Sequence, residues 1–319
     1  MPAPRHIIMI IGPTACGKTA VACALADRLR ERRAVSLISV DSAMVYRGMD
    51  IGSAKPTPTE LVTYPHALID IREPEQTYTA ADFVADADQQ VQTALAAGRL
   101  PVLVGGTMLY AHCFARGLAT LPPADPDLRA RLTQDLVRRG ADQLHAELSL
   151  LDPQAAANIH PHNRQRLVRA LEVIALTGRP MSEQWQAQHG LPVQQRLQAR
   201  LHTYAILPQQ RALLHRLIEA RFDEMLQAGF VAELERLRAR PAFDADLPAL
   251  RAVGYRQGLA FLAGTIDEDA FRHQALTATR RLAKRQLTWL RKWSDLTALA
   301  MDAPAALAET IERDLKALI

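Results

Sequence analysis

The sequence predicts an α/β protein: a P-loop parallel sheet core with helices on both faces, interrupted by an all-helical insertion domain. The first hundred residues alternate short β-branched runs with helical patterns, which is typical of a parallel sheet. A glycine-rich phosphate-binding pattern follows the first of these runs. After Leu118, a proline-rich stretch leads into arginine-rich amphipathic helices. Together these three observations predict the fold class.

Apolar runs and helix-ending residues give the order of the elements. We expect strands at residues 6–11, 34–40, 67–71, 101–104 and 201–207. We expect helices at about 79–97, 126–150, 161–177 and 209–228, followed by further helices to the C-terminus. The predicted domains are 1–121, the first part of the core; 122–200, the helical insertion; and 201–319, which completes the core and carries basic helices.

The composition places limits on the class of protein. Of the 319 residues, 49% are hydrophobic and 23% are charged, which excludes intrinsic disorder and collagen-like repeats. No apolar run approaches the roughly 20 residues that a membrane span needs, so we expect no membrane partner. The cysteines Cys16, Cys23 and Cys113 form no CxxC pair, as expected in a reduced cytoplasm. We therefore expect a cytoplasmic protein, and by default a monomer.

The net charge of +4 is unevenly distributed. Residues 270–294 hold no acidic residue and seven cations, Arg272, Arg280, Arg281, Lys284, Arg285, Arg291 and Lys292. Such a segment suits a polyanion, but it also describes a solvated helix face whose side-chain stems are buried, and charge alone leaves both open. Trp289 and Trp293 in this segment either stack on bases or pack in the core, and we favour packing.

A strand, the pattern GxxxxGKT and an amphipathic helix follow one another at the N-terminus, which is the context that defines a P-loop. Its residues are Gly12, Pro13, Thr14, Ala15, Cys16, Gly17, Lys18 and Thr19. The glycines let backbone N–H groups converge on phosphate oxygens, and Lys18 adds a mobile cation. The Thr19 hydroxyl is placed to bind Mg²⁺. Any diphosphate or triphosphate fits this loop. Within the loop, Cys16 either replaces a serine without a chemical role or is a reactive thiol.

Two further strand ends face the phosphate loop. Asp41 follows the strand at 34–40, at the edge where ligands bind in open α/β sheets. Its carboxylate is a base, a metal ligand or a helix cap. The strand at 101–104 ends in Gly105, Gly106 and Thr107 rather than in the acid that an ATPase uses to hold Mg²⁺. Asp70 could substitute for that acid, but the absence of an acid after this strand argues against plain ATP hydrolysis.

The histidines give no sign of a metal site. No histidine pair has metal-ligand spacing among His160, His162, His189 and His202.

Seven segments together resemble the bacterial tRNA dimethylallyltransferases. They are GPTACGKT at 12–19, DSAMVYRGMDIGSAKP at 41–56, PHALID at 65–70, GGTMLY at 105–110, RQRLVRALEV at 164–173, RAVGYRQG at 251–258 and TRRLAKRQLTWLRKW at 279–293. They occur in the family's order and span nearly the whole chain. The long segment at 41–56 is far more specific than the P-loop. Cys16 departs from the family, where serine is usual.

The resemblance implies transfer of a dimethylallyl group from dimethylallyl diphosphate to N6 of the adenosine 3′ of the anticodon. Lys18, Thr19, Arg221, the loop amides and Mg²⁺ would hold the diphosphate, and Asp41 would accept the proton from N6. Thr107 would lie between the phosphate and the base. The residues implied to contact the tRNA anticodon stem-loop are Asp41, Ser42, Ala43, Met44, Thr107, Arg129, Gln165, Arg166, Leu167, Val168, Arg169, Arg251, Ala252, Val253, Gly254, Tyr255 and Arg256.

Two other functions fit part of the sequence. A small-molecule kinase would use ATP in the P-loop and Asp41 as the base toward a hydroxyl, but it leaves the arginine-rich insertion without a purpose. A nucleic-acid-binding NTPase would need the missing acid. The transferase predicts tRNA binding that weakens steeply with salt, whereas the kinase predicts ATP binding that is indifferent to RNA.

Overall fold

The computed structural model describes residues 5–118, 121–187 and 190–318, which divide into two compact units. The first unit combines Met1–Ala115 with Val193–Ile319, and the second is Arg116–Pro192. The chain thus enters the second unit before residue 122, and it has returned to the first before residue 200. The return occurs early because Val193 and Leu197 pack into the core of the first unit and a core strand begins at Ala199.

The first unit contains one six-stranded sheet in which every described pairing is parallel. Its strands are β1 (Arg5–Ile11), β2 (Val35–Val40), β3 (His66–Ala67), β4 (Leu100–Gly105), β5 (Ala199–Leu207) and β6 (Thr297–Ala300). Their spatial order is β3-β2-β4-β1-β5-β6. The predicted parallel sheet is confirmed, and the central position of β1 places the P-loop in the middle of the carboxyl edge.

Two strands differ from the prediction. The predicted strand at 67–71 ends after two residues, since Leu68 (φ 66°) and Asp70 (φ 54°) adopt left-handed backbone conformations that no strand accommodates. Strand β6 was not predicted. Its four residues, three of which are exposed, lie at the edge of the sheet and lack the apolar run that marks a buried strand.

Helices cover both faces of the sheet, as the sequence predicts. The side chains of β1 alternate, so that Ile7 and Met9 belong to one apolar cluster and Ile8 and Ile10 to the other. The helices of this unit are α1 (Lys18–Leu29), α2 (Pro58–Thr63), α3 (Ala80–Ala96), α4 (Met108–Arg116), α10 (Val193–Leu197), α11 (Arg211–Gln227), α12 (Phe230–Arg238), α13 (Tyr255–Leu262), α14 (Glu268–Arg291) and α15 (Pro304–Leu318). Helices α1 and α15 cover the face of Ile8, and α3, α11, α12 and α14 cover the other.

The described part of the second unit is helical throughout. Its helices are α5 (Pro126–Arg139), α6 (Ala141–Leu151), α7 (Pro153–Asn158), α8 (Arg164–Thr177) and α9 (Met181–Ala187). The single helix predicted at 126–150 is two helices, because Gly140 (φ 86°) ends the first and precedes the second. Leu144, Leu148, Leu167 and Leu171 form part of its apolar core. Over the residues that the structure describes, no helix is long and apolar enough to cross a membrane.

Candidate active site

The P-loop connects the end of β1 at Ile11 to the start of α1 at Lys18. Ala15 (φ 62°) and Gly17 (φ 80°) turn the backbone so that the helix N-terminus faces the carboxyl edge of the sheet. The Lys18 ammonium donates to the carbonyl oxygen of Pro13 at 2.7 Å. At Gly12 a Cβ would lie 2.7 Å from the carbonyl oxygen of Ile206, so only glycine fits there. The strand, loop and helix that the sequence pattern predicts are therefore present, with the helix N-terminus at the sheet edge.

Asp41 and Thr107 meet because their strands are neighbours in the sheet. Strand β2 pairs with β4 so that Val40 lies opposite Gly105, and the next residues of both chains lie at one edge. The Thr107 N–H donates to the carbonyl oxygen of Val40 at 3.2 Å, and the Thr107 hydroxyl oxygen accepts from the Ser42 N–H at 3.1 Å. These two bonds fix the loop that carries Asp41 against the loop that carries Thr107.

The two oxygens of the Asp41 carboxylate differ in their hydrogen bonding. Oδ1 accepts the backbone N–H groups of Ala43 at 2.8 Å and Met44 at 3.2 Å. Oδ2 accepts no hydrogen bond from any residue that the structure describes. Asp41 thus closes a turn rather than capping a helix, since no helix begins there, and its second oxygen is still available to a ligand.

One cavity of about 790 Å³ joins the P-loop, the Asp41 loop and the Thr107 loop. Of the predicted site residues of this unit, it is lined by Thr14, Ala15, Gly17, Lys18, Thr19, Asp41, Ser42, Ala43, Met44, Thr107, Arg221, Arg251, Ala252, Val253, Gly254 and Tyr255. Gly12, Pro13 and Cys16 are buried and do not line it, and the exposed Arg256 also lies outside it. The cavity brings phosphate-binding groups, a carboxylate and a hydroxyl to one place.

Arg221 enters this cavity from α11. Burial lowers the pKa of its guanidinium, and the carboxylates of Asp41 and Glu224 oppose that shift. The guanidinium is therefore a partly desolvated cation that faces Asp41 across the cavity, suited to a second anion. Apolar side chains complete the wall beside it: Leu217, Ile218, Phe222, Met225 and Trp289.

Asp70 is already engaged by a cation. Its Oδ1 accepts from the Lys55 ammonium at 2.5 Å, and Lys55 also donates to Asp50 at 2.5 Å and to the Tyr46 carbonyl oxygen at 2.9 Å. Asp70 does not line the cavity. The structure thus gives no support to Asp70 as a substitute for the missing metal-binding acid. Among the described residues no cluster of three or more His, Cys, Asp or Glu side chains is arranged to hold a metal ion.

Glu233 is a site residue that the sequence analysis missed. Its buried carboxylate accepts the N–H groups of Asp50 at 2.9 Å, Ile51 at 2.6 Å and Gly52 at 3.2 Å. It also accepts the Tyr255 hydroxyl at 2.7 Å, and burial together with Glu233 raises the pKa of that tyrosine. Glu233 thus joins the segment after Asp41 to the segment at 251–255. No spacing rule marks a glutamate in an amphipathic helix for this task.

Comparisons with known proteins identify the family. The IPP transferase family model matches residues 44–293. The tRNA dimethylallyltransferase of Thiobacillus denitrificans is 50% identical over 313 residues, which cover 98% of this chain and 95% of the relative. The chain belongs to the tRNA dimethylallyltransferase family. Prenyl transfer to tRNA is the activity of that family, so the chain is a prenyltransferase by membership, and the resemblance found in the sequence is confirmed.

Solved structures give the same result for the fold. The tRNA isopentenylpyrophosphate transferase of Bacillus halodurans matches with a TM-score of 0.69 at 35% identity, covering 98% of this chain and 96% of that chain. A related transferase of Staphylococcus epidermidis has a TM-score of 0.66 at 29% identity, with 98% and 99% covered. A eukaryotic dimethylallyltransferase solved acting on tRNA has a TM-score of 0.79 at 22% identity, over 98% of this chain and 80% of that one. This last likeness concerns the fold alone.

The residues that the family resemblance implies for tRNA differ in exposure. In the second unit, Gln165 and Arg166 are exposed on α8, whereas Leu167 and Val168 are buried in its core. We therefore expect no side-chain contact between the last two and RNA. In the first unit, Arg251 and Arg256 are exposed and Tyr255 is fully buried, so the position of Tyr255 is fixed by packing.

Arg129 and Arg169 are held by one buried carboxylate in the second unit. Each guanidinium donates to Glu172 Oε2 at 2.7 Å, and Arg169 also donates to the carbonyl oxygen of Pro122 at 2.7 Å. Burial raises the pKa of Glu172, but the hydrogen bonds from Arg129 and Arg169 outweigh it and lower the pKa overall. The two arginines are thus fixed in direction and remain partly exposed.

The other residues singled out in the sequence have structural surroundings. Cys16 is buried in the apolar cluster under α1. Trp293 packs against the core, whereas Trp289 is 37% exposed and lines the cavity, and both rings lie edge-on to His112. His202 stacks on His6, His160 lies beside His162, and His189 is outside the described residues. In the basic segment, Arg272 and Arg280 pair with Glu219 of α11.

Proposed function

We propose that this site transfers a dimethylallyl group from dimethylallyl diphosphate to N6 of the adenosine 3′ of the anticodon (tRNA position 37) and releases diphosphate. One observation supports this most strongly: the P-loop, Asp41 and Thr107 share a cavity that also has an apolar wall. A diphosphate that carries a short hydrocarbon needs both kinds of surface. Strand β4 ends at Gly105 and is followed by Gly106 and Thr107, so the loop lacks the carboxylate expected of an ATPase.

The diphosphate would bind where positive groups converge. The P-loop amides and the N-terminus of α1 face the cavity, and Lys18 can exchange its bond to the Pro13 carbonyl oxygen for a phosphate oxygen. Arg221 approaches from α11 and can donate two parallel hydrogen bonds to one phosphate. These donors stabilise the charge that develops on the departing diphosphate, which lowers the barrier to its release.

Asp41 would serve as the base. The exocyclic amine is a weak nucleophile because its lone pair is delocalised into the adenine ring, so alignment and proton removal both matter. The N6–C1 bond forms while the C1–O bond breaks, and the electron pair of that bond leaves with the diphosphate. The N6 proton passes to Oδ2 of Asp41, the oxygen that the Ala43 and Met44 amides do not use. Thr107 positions this loop through Ser42.

Magnesium fits this site only together with the substrate. Thr19 lines the cavity beside Lys18 and offers a hydroxyl ligand. Because the described residues provide no cluster of metal-binding acids, phosphate oxygens and water would supply the other ligands, as Mg²⁺ accepts readily. When bound, the ion neutralises charge on the leaving group.

The tRNA would bind through its anticodon stem-loop to exposed or partly exposed cations and polar side chains of each unit. These are Arg251 and Arg256 in the first unit, and Arg129, Gln165, Arg166 and Arg169 in the second. We propose the helical segment 122–200 as the RNA-contacting domain. The target adenosine must leave its stack, which costs a few kcal/mol and less in a single-stranded loop. We further propose that the enzyme works in the cytoplasm as a monomer.

A label-transfer assay tests this proposal against a kinase. Purified protein is incubated with Mg²⁺, unmodified tRNA and labelled dimethylallyl diphosphate, and a parallel reaction contains γ-labelled ATP instead. We expect label in tRNA only from the prenyl donor, and none when the target adenosine is replaced by guanosine. Label transferred from ATP to a small hydroxyl acceptor, with tRNA unlabelled in both reactions, would overturn the proposal.

A further inference from the structure

Gln286 connects two loops that line the cavity and follow the neighbouring strands β1 and β4. It lies on α14 and is 6% exposed. Its Oε1 accepts the backbone N–H of Thr14 in the P-loop at 2.9 Å, and its Nε2 donates to the carbonyl oxygen of Gly106 at 2.8 Å. One side-chain amide therefore bridges the loop for the phosphate and the loop that leads to Thr107.

The bridge requires an amide. Thr14 offers a donor and Gly106 an acceptor, so the bridging group must accept at one end and donate at the other. Glutamate can accept from Thr14 but cannot donate to Gly106, and methionine, of similar length, does neither. The Gly106 side leaves little room, since a Cβ there would lie 2.8 Å from Gln286 Nε2 and 3.6 Å from Lys18 Nζ. Replacement of Gln286 by either residue therefore removes at least one of the two hydrogen bonds that link the loops.

The position of Gln286 on its helix supports this role. Thr279, Leu282 and Trp289 also line the cavity, at spacings of three and four residues that place them on one face of α14 with Gln286. Gln286 is the residue of this face whose side chain bonds to both loops.

We infer that Gln286 is a positioning residue that sets the distance between the departing diphosphate and the attacking amine. The inference rests on the proposed function. The Thr14 loop would hold the diphosphate, and the Gly106 loop, through Thr107 and Ser42, holds the segment of Asp41. Displacement at the allylic carbon requires donor and acceptor in near contact, where a misplacement of about 1 Å costs about 10²-fold in rate.

The test compares Gln286→Met and Gln286→Glu with Gln274→Met, a matched control at an exposed position of the same helix. In Gln286→Met we expect kcat for transfer per active site to fall about 10²-fold. The dissociation constant for tRNA should stay within about twofold of the control, because the bridge contacts none of the exposed cations proposed to bind the RNA. In Gln286→Glu, inorganic diphosphate should bind at least about tenfold more weakly by calorimetry, since a carboxylate then lies beside the phosphate loop.

A merely structural role gives a different pattern. The melting temperature and the fraction of competent sites would fall, while kcat per competent site stays within about threefold of the control. That pattern would overturn the inference. Unchanged diphosphate binding in Gln286→Glu would also overturn it. The diphosphate measurement needs no turnover. If wild-type protein fails to prenylate tRNA but Gln286→Glu still weakens diphosphate binding, the proposed function fails, whereas the placement of Gln286 beside a diphosphate-binding loop stands.

Discussion

The hydroxyl oxygen of Thr107 accepts a hydrogen bond from the backbone N–H of Ser42 at 3.1 Å, which locks the loop after β4 to the loop after β2. These residues are 65 positions apart in the sequence. Their contact follows from the parallel pairing of β2 with β4, which brings the two carboxyl ends together. The loops that carry Asp41 and Thr107 are thus placed by the sheet and held together by hydrogen bonds between them.

Asp41→Asn tests the proton acceptor. An asparagine oxygen can still accept the amides of Ala43 and Met44, so the loop should keep its shape. The neutral side chain cannot take the proton, and single-turnover transfer should slow by roughly 10²–10⁴. Binding of tRNA, measured by filter retention, should change much less. Near-normal turnover in this variant would remove Asp41 from the mechanism.

Arg221→Gln tests the second anion contact. Loss of a charge-assisted contact in a partly desolvated site should weaken binding of magnesium diphosphate about 10- to 100-fold, as measured by calorimetry. Arg216→Gln on the same helix is the control, because Arg216 is exposed and lies outside the cavity. Equal affinities in the two variants would show that Arg221 does not bind the diphosphate.

Arg166→Ala and Arg169→Ala should separate RNA binding from folding. Arg166 is exposed, so its loss should reduce the slope of log affinity against log salt by about 0.7–0.9 and leave the melting temperature unchanged. Arg169 also pairs with the buried Glu172, so its loss should reduce the slope and lower the melting temperature as well. An unchanged slope in both variants would show that Arg166 and Arg169 are ordinary surface cations with no contact to RNA. Diphosphate binding should be unaffected in either case.

The His6–His202 pair predicts how stability depends on pH. Burial lowers the pKa of both rings below 6.5, and Arg33 and Arg200 lower the pKa of His6 further. The unfolded chain therefore takes up protons first as pH falls. The neutral histidine pair therefore stabilises the folded protein fully above about pH 6.5. This stabilisation is lost as the pH falls from 6.5 toward the pKa values of the two rings in the folded state. His66, whose pKa burial also lowers, adds to the same loss.

The corresponding measurement is the melting temperature between about pH 7.5 and pH 5. We expect it to fall toward the acid end, and His202→Gln should show a smaller fall than wild type. His273→Gln, at an exposed position, is the matched control. The pH range stays above the region where Glu60 and Glu73, whose pKa values are lowered by hydrogen bonds, begin to protonate. Identical profiles in all three proteins would contradict the assignment.

Local patterns predict the part of the site that is local in sequence. The P-loop requires its residues in one run, and Asp41 and Thr107 each follow directly after a buried strand, so sequence is enough to place them. The second unit is predictable as a helical insertion because its amphipathic period and prolines are strong signals. Its internal break at Gly140 was missed because one glycine inside a helical pattern is ambiguous.

Glu233 and Gln286 were not predicted because their functions depend on contacts between distant segments. Glu233 bonds to residues 181 to 183 positions away, and Gln286 bonds to Thr14 at a separation of 272. In the sequence, each is an ordinary polar residue of an amphipathic helix. Only the tertiary fold shows that the first ties two segments of the cavity wall together and the second bridges two loops.

The most direct test of the central claim is to identify the product nucleoside. Unmodified tRNA is treated with wild-type protein, Mg²⁺ and dimethylallyl diphosphate, then digested and analysed by mass spectrometry with position mapping. We predict N6-dimethylallyladenosine at the position 3′ of the anticodon and at no other adenosine, with loss of the product in Asp41→Asn. Unmodified tRNA, or a prenyl group on any other atom or position, would contradict the account.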